Sequence, residues 1–197
     1  MTGTSLRLVA HGHTAALRRA RFGTDDGLDE GGLRAALAQA QAGADRRGPL
    51  GVHATCLSSP AVAARQTADA FGLLPAIETA LADCDYGAWS GRSLEEIAES
   101  QPQALHDWLS APESAPHGGE SVSAVRDRVG SWLDEQQESG GRVIAVTHPL
   151  VIRVAVVHAL GLPMATYRQV DVEPLAVVRL TSRGARWQLR LGAPRAG

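Results

Sequence analysis

The sequence contains no lysine and no asparagine, and all 19 basic residues are arginine. We read this as a nucleotide-composition bias, but it has a chemical consequence. Mechanisms built on a lysine, a Schiff base or a P-loop, are excluded. Cysteine is nearly absent too. Cys56 and Cys84 are too few for a disulfide-rich scaffold or a multi-cysteine zinc site. No apolar run approaches the ~20 residues that span a bilayer, and the first residues lack the apolar core of a signal peptide. A cytoplasmic protein is therefore expected. Net charge is only −2, so neither nucleic acid nor membrane is an expected partner. At 197 residues, 44% hydrophobic and 20% charged, the chain suits a single domain, 1–197.

The apolar pattern alternates between strand-like and helix-like segments. Leu6–Ala10 is a short strand that runs into His11-Gly12-His13-Thr14. A polar stretch from Arg18 to Glu30 precedes a helix over Leu33–Ala42, which Gly43 should end. Val52–Leu57 is a second strand. Ser58-Ser59-Pro60 should start a helix, with serine as cap and proline just inside, running to Phe71. Ile77–Leu81 is a candidate third strand, and Cys84–Ser93 a loop. Helices over Leu94–Leu109 are interrupted at Pro102, and Ala111–Glu120 is loop. Val122–Gln137 has helical apolar spacing. Val143–Val146 is a compact strand, followed by Thr147-His148-Pro149 and a helix over Leu150–Leu160. Ala176–Thr181 and Trp187–Leu191 read as two strands around a turn. This order predicts a three-layer α/β/α sandwich with a mainly parallel sheet.

In such a sheet, ligands bind beyond the carboxyl ends of the strands. His11 and His148 each follow a short apolar strand directly. An imidazole there can serve as nucleophile or general base near neutral pH. One such histidine would be read as a core residue; two in matching positions point to a site.

Five stretches, in order, resemble the histidine phosphatase superfamily, the phosphoglycerate mutase-like proteins. They are His11-Gly12-x-Thr14; Ser58-Ser59-Pro60 with Gln66-Thr67-Ala68; Asp83 with Tyr86-Gly87-x-Trp89-x-Gly91; Gly118-Gly119-Glu120-Ser121; and Val143 to His148 with Val151-Ile152-Arg153 and Gly161-Leu162-Pro163. Arg21-Phe22 sits where members carry a similar pair. The resemblance implies that His11 is the nucleophile for a phosphoryl group. His148 would steady that group from the opposite side, and Asp83 would protonate the leaving oxygen. It also suggests substrate contacts from Arg21, His13, Thr14, Ser58 and Pro149.

The departures from the family pattern all fall in the anion pocket. Ala10 replaces the arginine before the first histidine, Ala63 replaces the second-motif arginine, and Pro149-Leu150 replaces a Gly-Gly pair. Arg65 lies two residues beyond Ala63, about 200° around a helix, and should point elsewhere. Proline supplies no N–H to an anion. Each lost donor should cost about 10²–10³-fold in rate. Arg18, Arg19 and Arg21 are candidates to reach back over the pocket.

Other residues carry weaker signals. His11-x-His13 with Asp83 and His148 has the makings of a zinc set, but the barrel that uses such a pair needs ~250 residues, so neither a metal nor a cofactor is expected. Cys84 and Cys56 read as fillers, and His53, His106 and His158 as structural or surface residues. His117 is a candidate for the cleft mouth. Tyr86 and Trp89 should pack the acid-bearing loop or form an apolar wall. Three functions are compatible: a phosphohydrolase acting on a small phosphomonoester through His11; an enzyme using His11, His148 and Asp83 on a non-phosphorylated metabolite; and a silent binding protein. A small molecule is the expected partner in each case, and a homodimer stays open.

Overall fold

The computed structural model describes residues 3–47, 53–184 and 186–191. Its centre is a six-stranded sheet. The strands are β1 (Thr4–Ala10), β2 (Thr55–Ser58), β3 (Ala76–Ile77), β4 (Gly141–Thr147), β5 (Val177–Ser182) and β6 (Trp187–Arg190), in the order β3-β2-β4-β1-β5-β6. The first four positions in that order run parallel; β5 pairs antiparallel with β1, and β6 with β5. The sheet is thus mainly parallel, as the alternation predicted, with an antiparallel hairpin at one edge.

Helices cover both faces: α1 (Ala15–Arg18), α2 (Glu30–Arg47), α3 (Val62–Ala70), α4 (Leu94–Ser100), α5 (Pro102–Ser110), α6 (Val122–Ser139) and α7 (Pro149–Leu160). Alternate strand residues face opposite layers. Leu6, Leu8, Val143 and Ala145 join one core with Val125, Val129, Leu133 and Val154 of α6 and α7. Val9, Ile144 and Val146 join a second core with Ala36 of α2 and Ala64 and Ala68 of α3. Two-sided burial is why β1 and β4 read as nearly continuous apolar runs. Burying a residue such as Leu8, fully enclosed here, stabilises the fold by about 1.5–3 kcal/mol.

Several boundaries differ from the sequence expectation. The α2 helix starts at Glu30 and runs through Gly43. Asp29 caps it, its Oδ1 accepting the Gly32 N–H at 2.7 Å, inside the stretch read as irregular. Gly32 is required there, because a Cβ would overlap the His13 backbone. The β2 strand begins only at Thr55; Val52 lies outside the described residues, and His53 has a left-handed φ of 61°. The serines do not cap α3. Its N-cap is Ala61, without a side-chain bond, and Asp25 Oδ1 accepts the Val62 N–H at 2.7 Å from across the first loop. The third strand keeps only Ala76–Ile77, since Glu78 accepts the Ala80 N–H at 3.0 Å and turns the chain into a 3-10 turn over Thr79–Leu81. Further 3-10 turns cover Gly87–Trp89 and Met164–Gln169. Among the described residues, no helix is long and apolar enough to cross a membrane.

Candidate active site

The parallel register builds the site. Ala10 pairs with Thr147, and Ser58 with Val146, so β1, β2 and β4 end side by side. The next residues are His11, Ser59 and His148. The His11 N–H donates to the Thr147 carbonyl at 2.9 Å, and the Ser59 N–H to the Val146 carbonyl at 2.9 Å, continuing the ladder one step past each strand. His148 is the N-cap of α7.

His11 is buried, and its ring state is fixed by its own turn. Nδ1 lies 2.7 Å from the Gly12 carbonyl, which can only accept. Nδ1 therefore carries the proton, and the neutral ring keeps the Nε2 lone pair available. Burial lowers the His11 pKa from the usual 6.5, against a raising effect of the Gly12 bond and the Asp83 charge. Thr67 secures the turn: its Oγ1 accepts the Gly12 N–H at 3.1 Å and donates to the Ala63 carbonyl at 2.7 Å.

His148 meets His11 edge to face, with ring centroids 5.0 Å apart at 71°. Its Nε2 lies 2.9 Å from Ser59 Oγ, and its Nδ1 3.5 Å from Asp83 Oδ2. A charged Asp83 favours a proton on Nδ1, leaving Nε2 to accept the serine hydroxyl. Burial also lowers the His148 pKa, and Asp83 opposes that shift.

Asp83 is about one-third exposed, and its Oδ1 accepts the Cys84 N–H at 2.9 Å. Its loop hangs on Arg128 of α6. That guanidinium donates to the Asp83 carbonyl at 3.0 Å and the Ala80 carbonyl at 2.7 Å, and grips both Glu120 oxygens at 2.8 and 2.9 Å. The Gly118-Gly119 pair lets the Glu120 segment lie flat on this loop; a Cβ on Gly119 would overlap the Asp85 carbonyl. The Cys84 thiol donates to the Glu120 carbonyl at 3.1 Å, and burial pushes its pKa up, so it is a packed filler rather than a thiolate.

The remaining site candidates fall as follows. Thr14 caps α1, its hydroxyl accepting the Leu17 N–H at 3.1 Å. Ser58 is fully buried and donates to the Ser59 carbonyl at 2.9 Å, so Ser59 is the serine that reaches His148. Pro149 opens α7 and is half-buried. His13 is half-buried, and its Nδ1 has no partner. Among the described residues, no three His, Cys, Asp or Glu side chains are grouped to hold a metal ion. Ala10 and Ala63 are buried, and Arg65 is exposed.

The loop arginines point to other partners. Arg18 pairs with Asp29 at 2.5 Å, and its hydrogen bond is the chief cause that brings Asp29 down to about 2. Arg21 donates to the Gly91 carbonyl at 2.6 Å and lies 3.5 Å from Glu96. Arg19 is exposed. Sequence reasoning named neither Ser59 nor Thr67 nor Arg128 as site residues, although these three hold His148, His11 and Asp83 in place.

Residues 6–193 match the histidine phosphatase superfamily (branch 1). The bifunctional protein Rv2228c of Mycobacterium tuberculosis is 30% identical over 190 residues, which cover 93% of this chain and 52% of that protein. This chain thus spans about half the length of that relative. A glucosyl-3-phosphoglycerate phosphatase of Mycolicibacterium vanbaalenii is 30% identical over 170 residues, covering 81% of this chain and 75% of the relative. Among solved structures, the mycobacterial glucosyl-3-phosphoglycerate phosphatase Rv2419c complexed with VO3 superposes with a TM-score of 0.81 at 27% identity, covering 95% of this chain and 98% of that one.

Proposed function

Because the chain belongs to the histidine phosphatase superfamily, we propose that it hydrolyses a small-molecule phosphomonoester through His11, slowly for want of pocket arginines. The observation that carries this reading is the 2.7 Å contact of His11 Nδ1 with the Gly12 carbonyl. It presents Nε2 as the attacking atom, on a ring that meets His148, whose own Nδ1 lies 3.5 Å from Asp83.

The chemistry takes two steps. The Nε2 lone pair forms a bond to phosphorus as the phosphorus–oxygen bond to the leaving group breaks, and Asp83 passes the proton of the incoming monoanionic ester to that oxygen. Water then attacks the phosphohistidine, its proton returns to Asp83, and phosphate departs with His11 restored. His148, steadied by Ser59, faces the transferring group from the other side.

A second reading is favoured by where the charges lie. Arg18 and Arg21 are tied to Asp29, Gly91 and Glu96, and alanines stand at positions 10 and 63. A transferring dianion needs preorganised cations or N–H donors. The same His11 and Asp83 suit acid–base or covalent chemistry on a substrate whose reacting group is uncharged.

Phosphate release from a panel of phosphomonoesters, compared with His11→Ala, tests the first reading. Turnover that disappears in the variant is the expected result. No release at high enzyme concentration would transfer the assignment to the second reading.

A further inference from the structure

A second loop clasps the acid-bearing one, and His117 holds the clasp. His117, expected at the cleft mouth, is only 3% exposed. Its Nδ1 accepts the Gly119 N–H at 3.1 Å, and its carbonyl accepts the Ala88 N–H at 2.9 Å. The Glu120 N–H donates to the Asp85 carbonyl at 2.7 Å. Between these bonds backbone lies directly on backbone. A Cβ on Gly87 would overlap the His117 carbonyl, as one on Gly119 would overlap that of Asp85. Glu120 in turn receives the Cys84 thiol and the Arg128 fork that also holds the Asp83 carbonyl. The His117 ring is thus joined to the proposed acid by an unbroken series of contacts.

The ring can hold this position in one protonation state only. A Gly119 N–H that donates to Nδ1 needs a lone pair there, so the proton of the neutral ring is on Nε2. Nε2 is buried and has no hydrogen-bond partner. A second proton would go onto Nδ1, against the Gly119 N–H. Nδ1 would then lose its partner, and Nε2 has none to gain. Trp89 at 5.1 Å and Tyr86 at 5.9 Å between ring centroids pack against the imidazole. Burial keeps the Tyr86 hydroxyl neutral. Asp85 is the charged group that acts on the ring, and its Oδ1 already accepts the Gly87 N–H at 2.9 Å. Burial lowers the His117 pKa from 6.5, and the Asp85 charge opposes that shift. A buried imidazolium with two unpartnered N–H groups is costly, and exposure to water relieves it.

We propose that His117 is a positioning residue for Asp83 that works as an acid-released latch. Neutral, it clasps the 117–120 segment onto the acid-bearing loop; protonated, it leaves its place between the two aromatic rings and the loops part. The closed form is favoured where the ring is neutral, so it is lost as pH falls below about 6.5. The opening does not depend on the phosphomonoester reading, but its effect on turnover rests on that reading through Asp83.

Amide exchange at Gly119 tests the latch. Corrected for the intrinsic pH dependence of exchange, its protection should fall about 5–10-fold from pH 7.5 to 5.5, as a ring of ordinary pKa takes up its proton in the open form. His117→Asn places an amide oxygen where Nδ1 accepts and does not titrate, so the difference should disappear. An equal loss in His117→Asn, or Gly119 protection that matches that of the His11 amide at both pH values, would overturn the latch. Asp85→Asn provides a second variant. It keeps the oxygen that accepts the Gly87 N–H, removes the charge that favours the imidazolium, and should move the transition to lower pH; an unmoved midpoint counts against the proposal. In the kinetic arm, His117→Asn should raise the ratio of kcat at pH 5.5 to kcat at pH 7.5 about 3–10-fold, and an unchanged ratio would overturn the positioning role. A His117-dependent loss of protection without phosphate release would remove the phosphatase reading and keep the latch. Phosphate release without that loss would do the reverse.

Discussion

Arg128 donates to the backbone carbonyl of Asp83 at 3.0 Å, so the proposed acid is aimed by a residue on α6 that lies outside the site. Both partners of the Arg128–Glu120 pair are about three-quarters buried, and the guanidinium satisfies four oxygen atoms at once. Arg128→Ala should lower stability by about 1–3 kcal/mol and reduce kcat more than it raises KM. Urea unfolding and steady-state kinetics read the two effects. Arg128→Lys keeps the charge without the fork and should recover only part of kcat.

Acidity affects activity and stability through the same two rings. On the proposed chemistry His11 must be neutral to attack, and burial lowers its pKa from 6.5. The acid limb of kcat/KM should therefore fall below pH 6.5. Stability follows from the sign of the shift. Above pH 6.5 both folded and unfolded histidines are neutral, so His11 and His148 contribute no pH dependence. Below it the unfolded chain takes up protons that the folded rings resist, and stability drops until the folded values are passed. Urea midpoints at pH 7.5 and 5.5 should show the loss, and a His11→Gln variant should show a smaller one.

Ser59 contacts His148 Nε2 at 2.9 Å and also accepts the Ala61 N–H at 3.3 Å. Ser59→Ala leaves a buried ring nitrogen without its partner. A cost of about 1–2 kcal/mol is expected, with kcat reduced about 10–100-fold and KM little changed. Unaltered kcat would show that His148 is positioned without the serine.

Ala63 lies in the first turn of α3, below the Thr67 hydroxyl that secures the His11 turn. Restoring a cation there by Ala63→Arg should raise phosphomonoester turnover by about 10²-fold and tighten inhibition by vanadate. A variant that folds and shows neither effect would mean that the pocket is unsuited to phosphate for reasons other than charge.

Much of this architecture was legible from periodicity. Short apolar runs marked β1 and β4, and the histidines that follow them marked the candidate site. The family resemblance supplied Asp83. The missed residues share a physical reason. Ser58 and Ser59 differ by one position at a strand end, where successive side chains alternate faces, and only the register decides which one meets His148. Arg128 sits on the flank of the α6 apolar stripe, where an arginine reads as solvated until the Asp83 loop is seen packing on it. The α2 boundary was missed because Asp29 caps the helix from within a stretch whose composition reads as loop.

The site has no local existence. Gly12 is joined to Thr67 across 55 positions, and Ser59 to His148 across 89. The His11 amide itself is the last rung of the β1–β4 ladder. Separating the two imidazoles therefore means pulling apart the middle of the sheet. Amide exchange at His11 should then proceed only through global unfolding, and loss of activity in denaturant should coincide with loss of the sheet.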